Sequence, residues 1–337
     1  MDQPHIVVLF NQETKLARGE GKDLIALQDT ISTTHYICNA LISLGYQTSL
    51  ISVTDSLADL AFQLSKLSPS YTFIFNNCDG FAGRNLGAVQ VLRIVENMGF
   101  CHTGASADVI AQCIDKSRAK NSLLNEGLPT PAFRVFGHPS EACTLRFPAI
   151  VKPLTEDGSI GIDDQSVVSN TEELQRRIEY ILKSYDQPAL VEEFIVGREF
   201  AVSLWGNENL EILPIYEEDY SKIEDPLKHL LTFDSKWIES SWYYHEIEIR
   251  CPAILSRKEE NYIKQISTRT YYTLSLRDFA RFDIRYDGQT AYVVDANELP
   301  DLSPDAGFTR TAMVAGYSYE DIIEKILHFA LKREGWR

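Results

Sequence analysis

The chain lacks paired cysteines, long hydrophobic runs and an N-terminal leader pattern. Its six cysteines are scattered and form no Cys-x-x-Cys motif, which argues against a zinc cluster or a disulfide framework and favours buried free thiols. No apolar run reaches membrane-spanning length, and the opening Met-Asp-Gln-Pro-His has neither the basic nor the apolar region of a signal peptide. We therefore expect a cytoplasmic protein with no membrane partner.

Positive charge is also scarce. The 32 Lys and Arg residues are outnumbered by 48 Asp and Glu residues, which gives a formal net charge of −16 at pH 7. Nucleic acids and anionic membranes are held by basic side chains that neutralise phosphates, so this balance argues against both as partners. With 337 residues, 44% hydrophobic and 24% charged, the chain has the size and composition of an enzyme of two or three domains.

Several well-known motifs are missing as well. There is no G-x-x-x-x-G-K-[ST] loop, and neither "GEGKD" nor "GSIGI" completes a G-x-G-x-x-G fingerprint. There is no His-Glu-x-x-His, and "GASAD" is not a nucleophile elbow. These absences argue against a P-loop nucleotidase, a dinucleotide-binding domain, a zinc hydrolase and a serine hydrolase.

The first hundred residues alternate short β-rich runs with helical patterns. The runs "HIVVLF", "TSLISV" and "YTFIFNN" are separated by segments with helical periodicity. This alternation predicts an α/β domain with a doubly wound parallel sheet at residues 1–105. The later strands and helices predict two α+β domains, at 106–200 and 201–337. An aromatic and charged stretch from about 217 to 250 has little periodicity and is typical of a long functional loop.

The stretch "RFDIRYDGQTAYVVDANELPDLSP" predicts a hairpin around an Asp-Gly turn. Side chains alternate along a strand, so Arg281 and Asp283 share one face of the first arm, as Asp295 and Asn297 do on the second. If these faces coincide, the carboxylates need a cation, and such oxygen ligands suit Mg²⁺ that also binds substrate phosphates. The two faces coincide only if the connection between the arms has an odd number of residues or contains a β-bulge, and Gly288 would permit such a bulge. From the hairpin alone, an ordinary sheet face exposed to solvent explains these polar residues equally well.

A second group of polar residues lies in the middle of the chain. In "VKPLTEDGSIGI", Lys152 leaves a strand and enters a loop with Gly158 and Gly161, where backbone N–H groups could approach phosphates. In "LVEEFIVGREF", Glu192 and Glu199 flank a turn. Taken alone, a lysine at a strand end is more often simply solvated, and the glutamates would be surface charges.

Taken in order, these segments resemble the ATP-grasp superfamily, and most closely its D-alanine–D-alanine ligase branch. The resemblance extends over essentially the whole chain. It rests on "DKSRAKNSLLNEGLPTPAF", "FPAIVKP", "LVEEFIVGREF", "ARFDIRYD" and "VVDANELPDLSP", which follow the order and approximate spacing of the family. It implies an ATP-grasp fold in which the two α+β domains clamp ATP.

The resemblance also implies roles for twelve residues. For the nucleotide, these are Lys116 and Lys152 on the phosphates, Glu192 on the adenine amino group, Glu199 on the ribose hydroxyls, and Phe194 and Ile195 beside the nucleotide. For the reaction, they are Lys236, within the long loop, at the γ-phosphate, Arg281 at the transferring phosphoryl group, Ser159 in the glycine loop, and Asp283, Asp295 and Asn297 around two Mg²⁺ ions. Mn²⁺ is an alternative metal, and Asp295 is commonly Glu in the family.

The departures from the family pattern lie on the substrate side. The residues that differ are Gly158 for the first serine of the glycine loop, Trp237 for a tyrosine, Asp301 for a glycine, and Ala306 and Gly307 at the later serine region. The N-terminal glutamate of the family has no convincing match, since Asp29 is out of register. In the family these positions hold the two alanines, so their loss predicts a different substrate.

We therefore expect an ADP-forming ligase that phosphorylates a cyclic or otherwise bulky acceptor and joins it to the amine of an amino acid. Mycosporine-like amino acid ligases, which couple mycosporine-glycine to Ser or Thr, are one such group. Two alternatives stay open: a D-alanine–D-alanine or other dipeptide ligase, and an ATP-grasp module that binds ATP without catalysis. The expected partners are small molecules, and a homodimer is compatible with the resemblance.

Overall fold

The structure of the protein is a computed structural model that describes residues 3–13, 15–54 and 56–336. Met1 and Asp2, part of the stretch that lacks a leader pattern, and Arg337, the last residue of the third predicted domain, lie outside the described residues.

The N-terminal part is the predicted parallel sheet with helices on both sides. Its elements are β1 (His5–Asn11), α1 (Leu24–Ser43), β2 (Thr48–Val53), α2 (Leu57–Leu64), β3 (Thr72–Asn77), α3 (Gly87–Asn97) and β4 (Cys101–His102). The strands lie in the order β2-β1-β3-β4 and all pair in parallel. The doubly wound prediction is therefore confirmed. β1 and β3 are almost wholly buried because helices cover both faces of the sheet.

The segment after β4 contains two consecutive helices. α4 (Ala107–Ile114) ends at Asp115, and α5 (Lys116–Asn125) begins immediately after it. Asp115 has ψ 91°, outside the helical region, and its carboxylate accepts hydrogen bonds from the backbone N–H groups of Ser117 and Arg118. This capping breaks the helix and places Lys116 in the first turn of α5.

The central part is a four-stranded antiparallel sheet covered by one helix. Its elements are β5 (Phe133–Phe136), β6 (Ala149–Pro153), β7 (Val167–Val168), α6 (Thr171–Tyr185) and β8 (Ala189–Glu193). The strand order is β5-β8-β6-β7. The apolar side of α6, with Leu174, Ile178 and Ile181, packs on one face of this sheet. The other face of the sheet lines the cavity described below.

The C-terminal part is built on a larger antiparallel sheet. Its elements are β9 (Arg198–Trp205), β10 (Glu211–Ile212), β11 (Tyr216–Asp219), α7 (Phe233–Trp237), α8 (Trp242–Glu246), β12 (Glu248–Arg250), α9 (Arg257–Thr273), β13 (Phe279–Tyr286), β14 (Ala291–Asn297), α10 (Gly307–Val314) and α11 (Tyr319–Arg333). The order is β12-β11-β9-β13-β14, with β10 beside β9. Ile322 and Ile326 of α11 share a core with Phe73 and Phe75 of β3, which joins the last helix to the N-terminal sheet.

The stretch from about 217 to 250 is not the irregular loop that its weak periodicity predicted. It contains most of β11, all of α7, α8 and β12, and Lys236 lies on α7 rather than in a loop. β11 was hidden because "YEED" has low strand propensity. Its pairing with β9 and β12 is supported by ion pairs from Glu217 to Arg198 and from Asp219 to Arg250.

The three sheets follow the three predicted domains in order, although the boundary at 200/201 falls inside β9. The domain limits themselves stay a prediction. No helix in the described part of the chain has the length and apolar character needed to cross a membrane. Of the cysteines, which are all free, Cys78 and Cys113 are buried and the others are partly exposed.

Candidate active site

One cavity of about 830 Å³ lies between the central sheet, the C-terminal sheet and the N-terminal domain. Its lining includes all twelve residues to which the family resemblance gives a role: Lys116, Lys152, Ser159, Glu192, Phe194, Ile195, Glu199, Lys236, Arg281, Asp283, Asp295 and Asn297. Residues that are up to 181 positions apart in the sequence therefore meet in one place. Their individual roles stay predictions, and the geometry below shows what each can do.

The floor of the cavity is one face of the C-terminal sheet, where Asp283 and Asp295 are direct cross-strand partners. Partners of this kind point to the same side, so the prediction that the two carboxylates share a face is confirmed. The register shifts between Asp283 and Ile284, because Asp283 pairs with Asp295 and Ile284 pairs with Val293. The extra residue is thus Val294 and not Gly288, which lies in the turn with a φ of 94°.

Three polar groups on the floor are joined by hydrogen bonds. The Arg281 guanidinium donates to both carboxylate oxygens of Asp283, at 2.9 and 3.2 Å, and the amide of Asn297 donates to the same carboxylate at 3.2 Å. No cluster of three or more His, Cys, Asp or Glu side chains among the described residues forms a metal centre. Two carboxylates and one carboxamide are nevertheless suitable Mg²⁺ ligands when phosphate oxygens complete the shell. The donor set fits a metal that binds together with ATP.

Lys116 connects the floor to the glycine loop. Its ammonium group lies 2.8 Å from Asp157 of that loop and 3.0 Å from Asp295 of β14. Burial alone would raise the pKa of Asp295, but Lys116 and Lys152 outweigh it and lower that pKa to about 2. Asp295 is therefore an anion at any working pH, as a metal ligand must be.

Lys152 shares Glu192 with a lysine that the sequence reasoning missed. The carboxylate of Glu192 lies 2.8 Å from Lys152 and 2.5 Å from Lys120 of α5, and all three side chains are at least nine-tenths buried. Burial would raise the pKa of Glu192, but the two ammonium groups lower it. Lys120 also donates to the carbonyl oxygen of the bulge residue Val294, at 3.1 Å. The pattern offered no signal for Lys120, because lysines on helices are usually solvated.

Glu199 is held by two neighbours at the other end of the floor. Its Oε2 accepts a 2.6 Å hydrogen bond from Tyr220 and lies 2.9 Å from the guanidinium of Arg285. Arg285 also stacks over the ring of Phe194, 4.9 Å from its centroid. This packing fixes Glu199 and Phe194 relative to each other, as is typical of a preformed ligand site.

The opposite wall carries the residues that depart from the family. The indole N–H of Trp237 donates to the carbonyl of Gly158 at 2.9 Å, and the Lys236 ammonium lies 4.9 Å from the indole ring. Gly158 and Ser159 both have positive φ, 63° and 60°. Burial and the nearby Arg281 lower the pKa of Lys236. Trp237 therefore ties α7 to the glycine loop and closes this side of the cavity.

Asp301 and Asp29 make the same wall acidic. Asp301 accepts hydrogen bonds from the backbone N–H and the hydroxyl of Ser303, at 2.8 and 2.9 Å. The arginines Arg84 and Arg310 have other contacts: Arg84 pairs with Asp186, and Arg310 donates to the backbone carbonyl of Asp305. Asp29 lines the cavity although its position is out of register with the family, and burial and Asp301 raise its pKa to about 6.

Two further cavity residues had no recognised motif. Asp157 belongs to the glycine loop, and Glu218 belongs to the "YEED" strand that was taken for loop. Alternation along β11 would have shown that Glu218 faces the floor, had the strand been recognised.

Comparison with known proteins agrees with this geometry. The family profile described as "D-ala D-ala ligase C-terminus" matches residues 132–328. An uncharacterized protein, y4sG, of Sinorhizobium fredii is 35% identical over 77% of this chain and 75% of its own length. A D-alanine–D-alanine ligase of Carboxydothermus hydrogenoformans is 32% identical over 90% of this chain and 94% of its own.

The fold agrees with solved structures. The D-alanine–D-alanine ligase of Bacillus anthracis, determined in complex with ATP, superimposes with a TM-score of 0.74 over 98% of this chain and 99% of its own, at 18% identity. This similarity confirms the predicted ATP-grasp architecture. The chain belongs to the D-alanine–D-alanine ligase family of ATP-grasp enzymes, which are ADP-forming ligases that make C–N bonds.

Proposed function

We propose that this ligase phosphorylates an oxygen of a bulky acceptor, cyclic and similar to mycosporine-glycine, and joins the acceptor to the amine of an amino acid such as Ser or Thr. The observation that carries the proposal is the division of the cavity. Its nucleotide side is lined by the residues to which the resemblance gives a nucleotide or metal role, with Asp295 in place of the usual Glu as the one departure among them, whereas its substrate wall is built from Trp237, Gly158, Asp301 and Asp29. Change concentrated on the substrate side favours a change of substrate.

On the nucleotide side, adenosine would lie near Glu192, Phe194, Ile195 and Glu199, with its phosphates directed toward Lys116 and Lys152. Mg²⁺, as two ions, would be held by Asp283, Asp295 and Asn297 together with phosphate oxygens, and Mn²⁺ is an alternative. A bound metal would neutralise charge on the phosphates.

The chemistry then follows from position and charge. An acceptor oxygen attacks the γ-phosphorus, ADP leaves, and the amine next displaces phosphate from the activated carbon. Arg281 and Lys236, which both line the cavity, would stabilise the negative charge on the transferring group. For a vinylogous acid the product is an imine, and for a carboxylate it is an amide.

The acceptor would lie against Trp237. An indole offers a flat apolar face for a ring, and the serine missing at Gly158 leaves room beside it. Thr30 and Thr33 of α1 line the same region, and the hydroxyl of Thr30, which donates to Asp79 at 2.9 Å, would accept a hydrogen bond from a hydroxyl group of the acceptor. Asp29 and Asp301 would repel a carboxylate placed next to them, which disfavours alanine in the family's orientation.

D-alanine–D-alanine ligation is the second candidate, because relatives of that name cover almost the whole chain. The two candidates differ in what stimulates ATP cleavage. The test is a phosphate-release screen that crosses cyclic and carboxylic acceptors with the common L- and D-amino acids. We expect release that needs both an acceptor and an amino acid, and none from the Asp283→Asn variant. Release with D-alanine as the sole substrate would instead support the second candidate.

A further inference from the structure

Glu218 is a buried carboxylate of the cavity to which the proposed function gives no role. It lies directly opposite Glu199, so the two side chains share the floor face of the sheet. Glu218 is only 6% exposed, and its Oε2 has no hydrogen-bond partner among the described residues. The neighbouring Glu217 points to the other face, where Arg198 donates to it at 2.7 and 2.8 Å.

A buried carboxylate oxygen without a donor destabilises a fold, because it has lost the hydrogen bonds that water provides. Burial raises the pKa of Glu218 well above its ordinary value, and the charges of Glu199 and Asp283 add to the rise. Arg281 is the cation that opposes this rise, but Asp283 already binds its guanidinium through two hydrogen bonds. A group of this kind is expected where a ligand supplies the missing donor.

The missing partner of Glu218 limits what that ligand can be. An ammonium group would donate to Oε2 and stabilise the ionised carboxylate, whereas the anionic phosphates of ATP would oppose its ionisation. Tyr216 precedes Glu218 by two residues on the same face, and it lines the cavity as well. Arg310 lines the same cavity. An amino acid bound between Arg310 and Glu218 would direct its carboxylate to Arg310 and its amine to Glu218.

We propose that Glu218 binds the amine of the incoming amino acid and positions it over the cavity floor for attack on the activated acceptor. This proposal rests on the proposed function, since it takes the second substrate to be an amino acid. Glu218 would act as a positioning and selectivity residue. It would favour substrates with a free amine over amides, esters or hydroxy acids of the same shape.

The first experiment is a binding measurement that does not depend on turnover. The wild-type chain, saturated with AMP-PNP and Mg²⁺, is titrated calorimetrically with the twenty common L-amino acids and with D-alanine, and the tightest binder becomes the probe. The same titration is repeated with Glu218→Gln and Glu218→Leu. The matched control is Glu248→Gln, an exposed carboxylate on the adjacent strand β12 that forms an ion pair with the surface residue Lys222.

We expect both Glu218 variants to bind the probe at least tenfold more weakly, while their affinity for AMP-PNP stays within twofold and the control matches wild type. The melting temperature of Glu218→Leu should rise by about 2 °C, because an unpaired buried carboxylate has been removed. This combination of weaker substrate binding and higher stability separates a binding residue from a structural one.

Three results would overturn the proposal. The first is unchanged affinity for the probe in both Glu218 variants, and the second is an absence of amino acid binding to wild type. The third is a loss of AMP-PNP affinity alone, which would place Glu218 at the ribose instead. Failure of the proposed function is distinguishable, because the probe would then bind in a Glu218-dependent way without stimulating phosphate release with any acceptor.

Discussion

The ammonium group of Lys120 donates a 3.1 Å hydrogen bond to the carbonyl oxygen of Val294, the extra residue in the bulge of β14. The bulge brings Asp295 opposite Asp283, and it also frees this carbonyl from the strand ladder. The same ammonium group of Lys120 also lies 2.5 Å from the carboxylate of Glu192. One irregularity in a strand thus orders both the expected metal ligands and the expected adenine-binding carboxylate.

The first prediction concerns Lys120. Lys120→Met removes one of the two ammonium groups on Glu192, so we expect the free energy of unfolding to fall by about 2 kcal/mol, the usual value of a hydrogen bond to a charged group. Urea unfolding measures this loss. The double variant Lys120→Met with Glu192→Leu should be less stable still, because the buried Lys152 then loses its carboxylate partner. An unchanged unfolding midpoint in Lys120→Met would contradict the prediction.

The second prediction separates nucleotide binding from chemistry. Lys152→Ala should weaken ATP binding, because the lysine acts as a positive charge on ground-state phosphates. Asp283→Asn and Asn297→Ala should abolish turnover with a milder loss of ATP affinity, because these groups act on charge that develops during transfer. Calorimetric titration with AMP-PNP, together with phosphate release at saturating Mg²⁺ and ATP, distinguishes the two effects. Full activity of Asp283→Asn would contradict the proposed role of Asp283 as a metal ligand.

The third prediction is a pH dependence of stability. Burial and Asp301 raise the pKa of Asp29 from 3.8 to about 6, so between these values the folded chain holds a proton that the unfolded chain loses. Asp29 therefore makes the fold less stable as the pH rises through this window, and the penalty is complete above it. Asp29→Asn should raise the melting temperature at pH 7.5, and the gain should disappear near pH 4. The exposed Asp164→Asn serves as control, and a gain that does not vary with pH would contradict the assignment.

The fourth prediction is that α7 and α8 become more ordered when substrates bind. Trp237 and Tyr244 of these helices line the cavity, while Trp242 is 54% exposed, so the segment is only partly packed. Excluding water would protect an activated phosphate ester. Hydrogen exchange at residues 233–246 should slow with AMP-PNP and acceptor, whereas the core helix α9 should not change. Equal exchange with and without ligands would show that the segment is not a lid.

The sequence predicted the elements whose local residue preferences match the structure that they adopt. The hairpin arms were predicted at the residues where β13 and β14 lie, because Tyr, Phe, Val and Ile alternate on both sides of an Asp-Gly turn. The bulge was required by the two aspartates, but its position at Val294 was not predictable, since it depends on Lys120 from a distant helix. β11 was missed because its acidic residues oppose strand formation until Arg198 and Arg250 neutralise them.

The acidic substrate wall was predictable only in part. Asp301 was recognised by comparison with the family pattern, whereas its contact with Ser303 in place of an arginine depends on the local turn. Asp29 lay out of register, so only the fold could place it on the cavity wall. Residues of this kind determine substrate choice, and they belong to loops and helix faces that carry no periodic signal.

The central claim is that this member of the family keeps ATP chemistry but does not use D-alanine as its substrate. Steady-state phosphate release with ATP, Mg²⁺ and D-alanine alone tests it most directly. The account predicts release near the background of the Asp283→Asn variant, and a clear increase when a mycosporine-type acceptor is supplied together with L-threonine or L-serine. Turnover on D-alanine alone in the ordinary enzyme range, roughly 1 to 1,000 per second, would contradict the account and identify the chain as a D-alanine–D-alanine ligase.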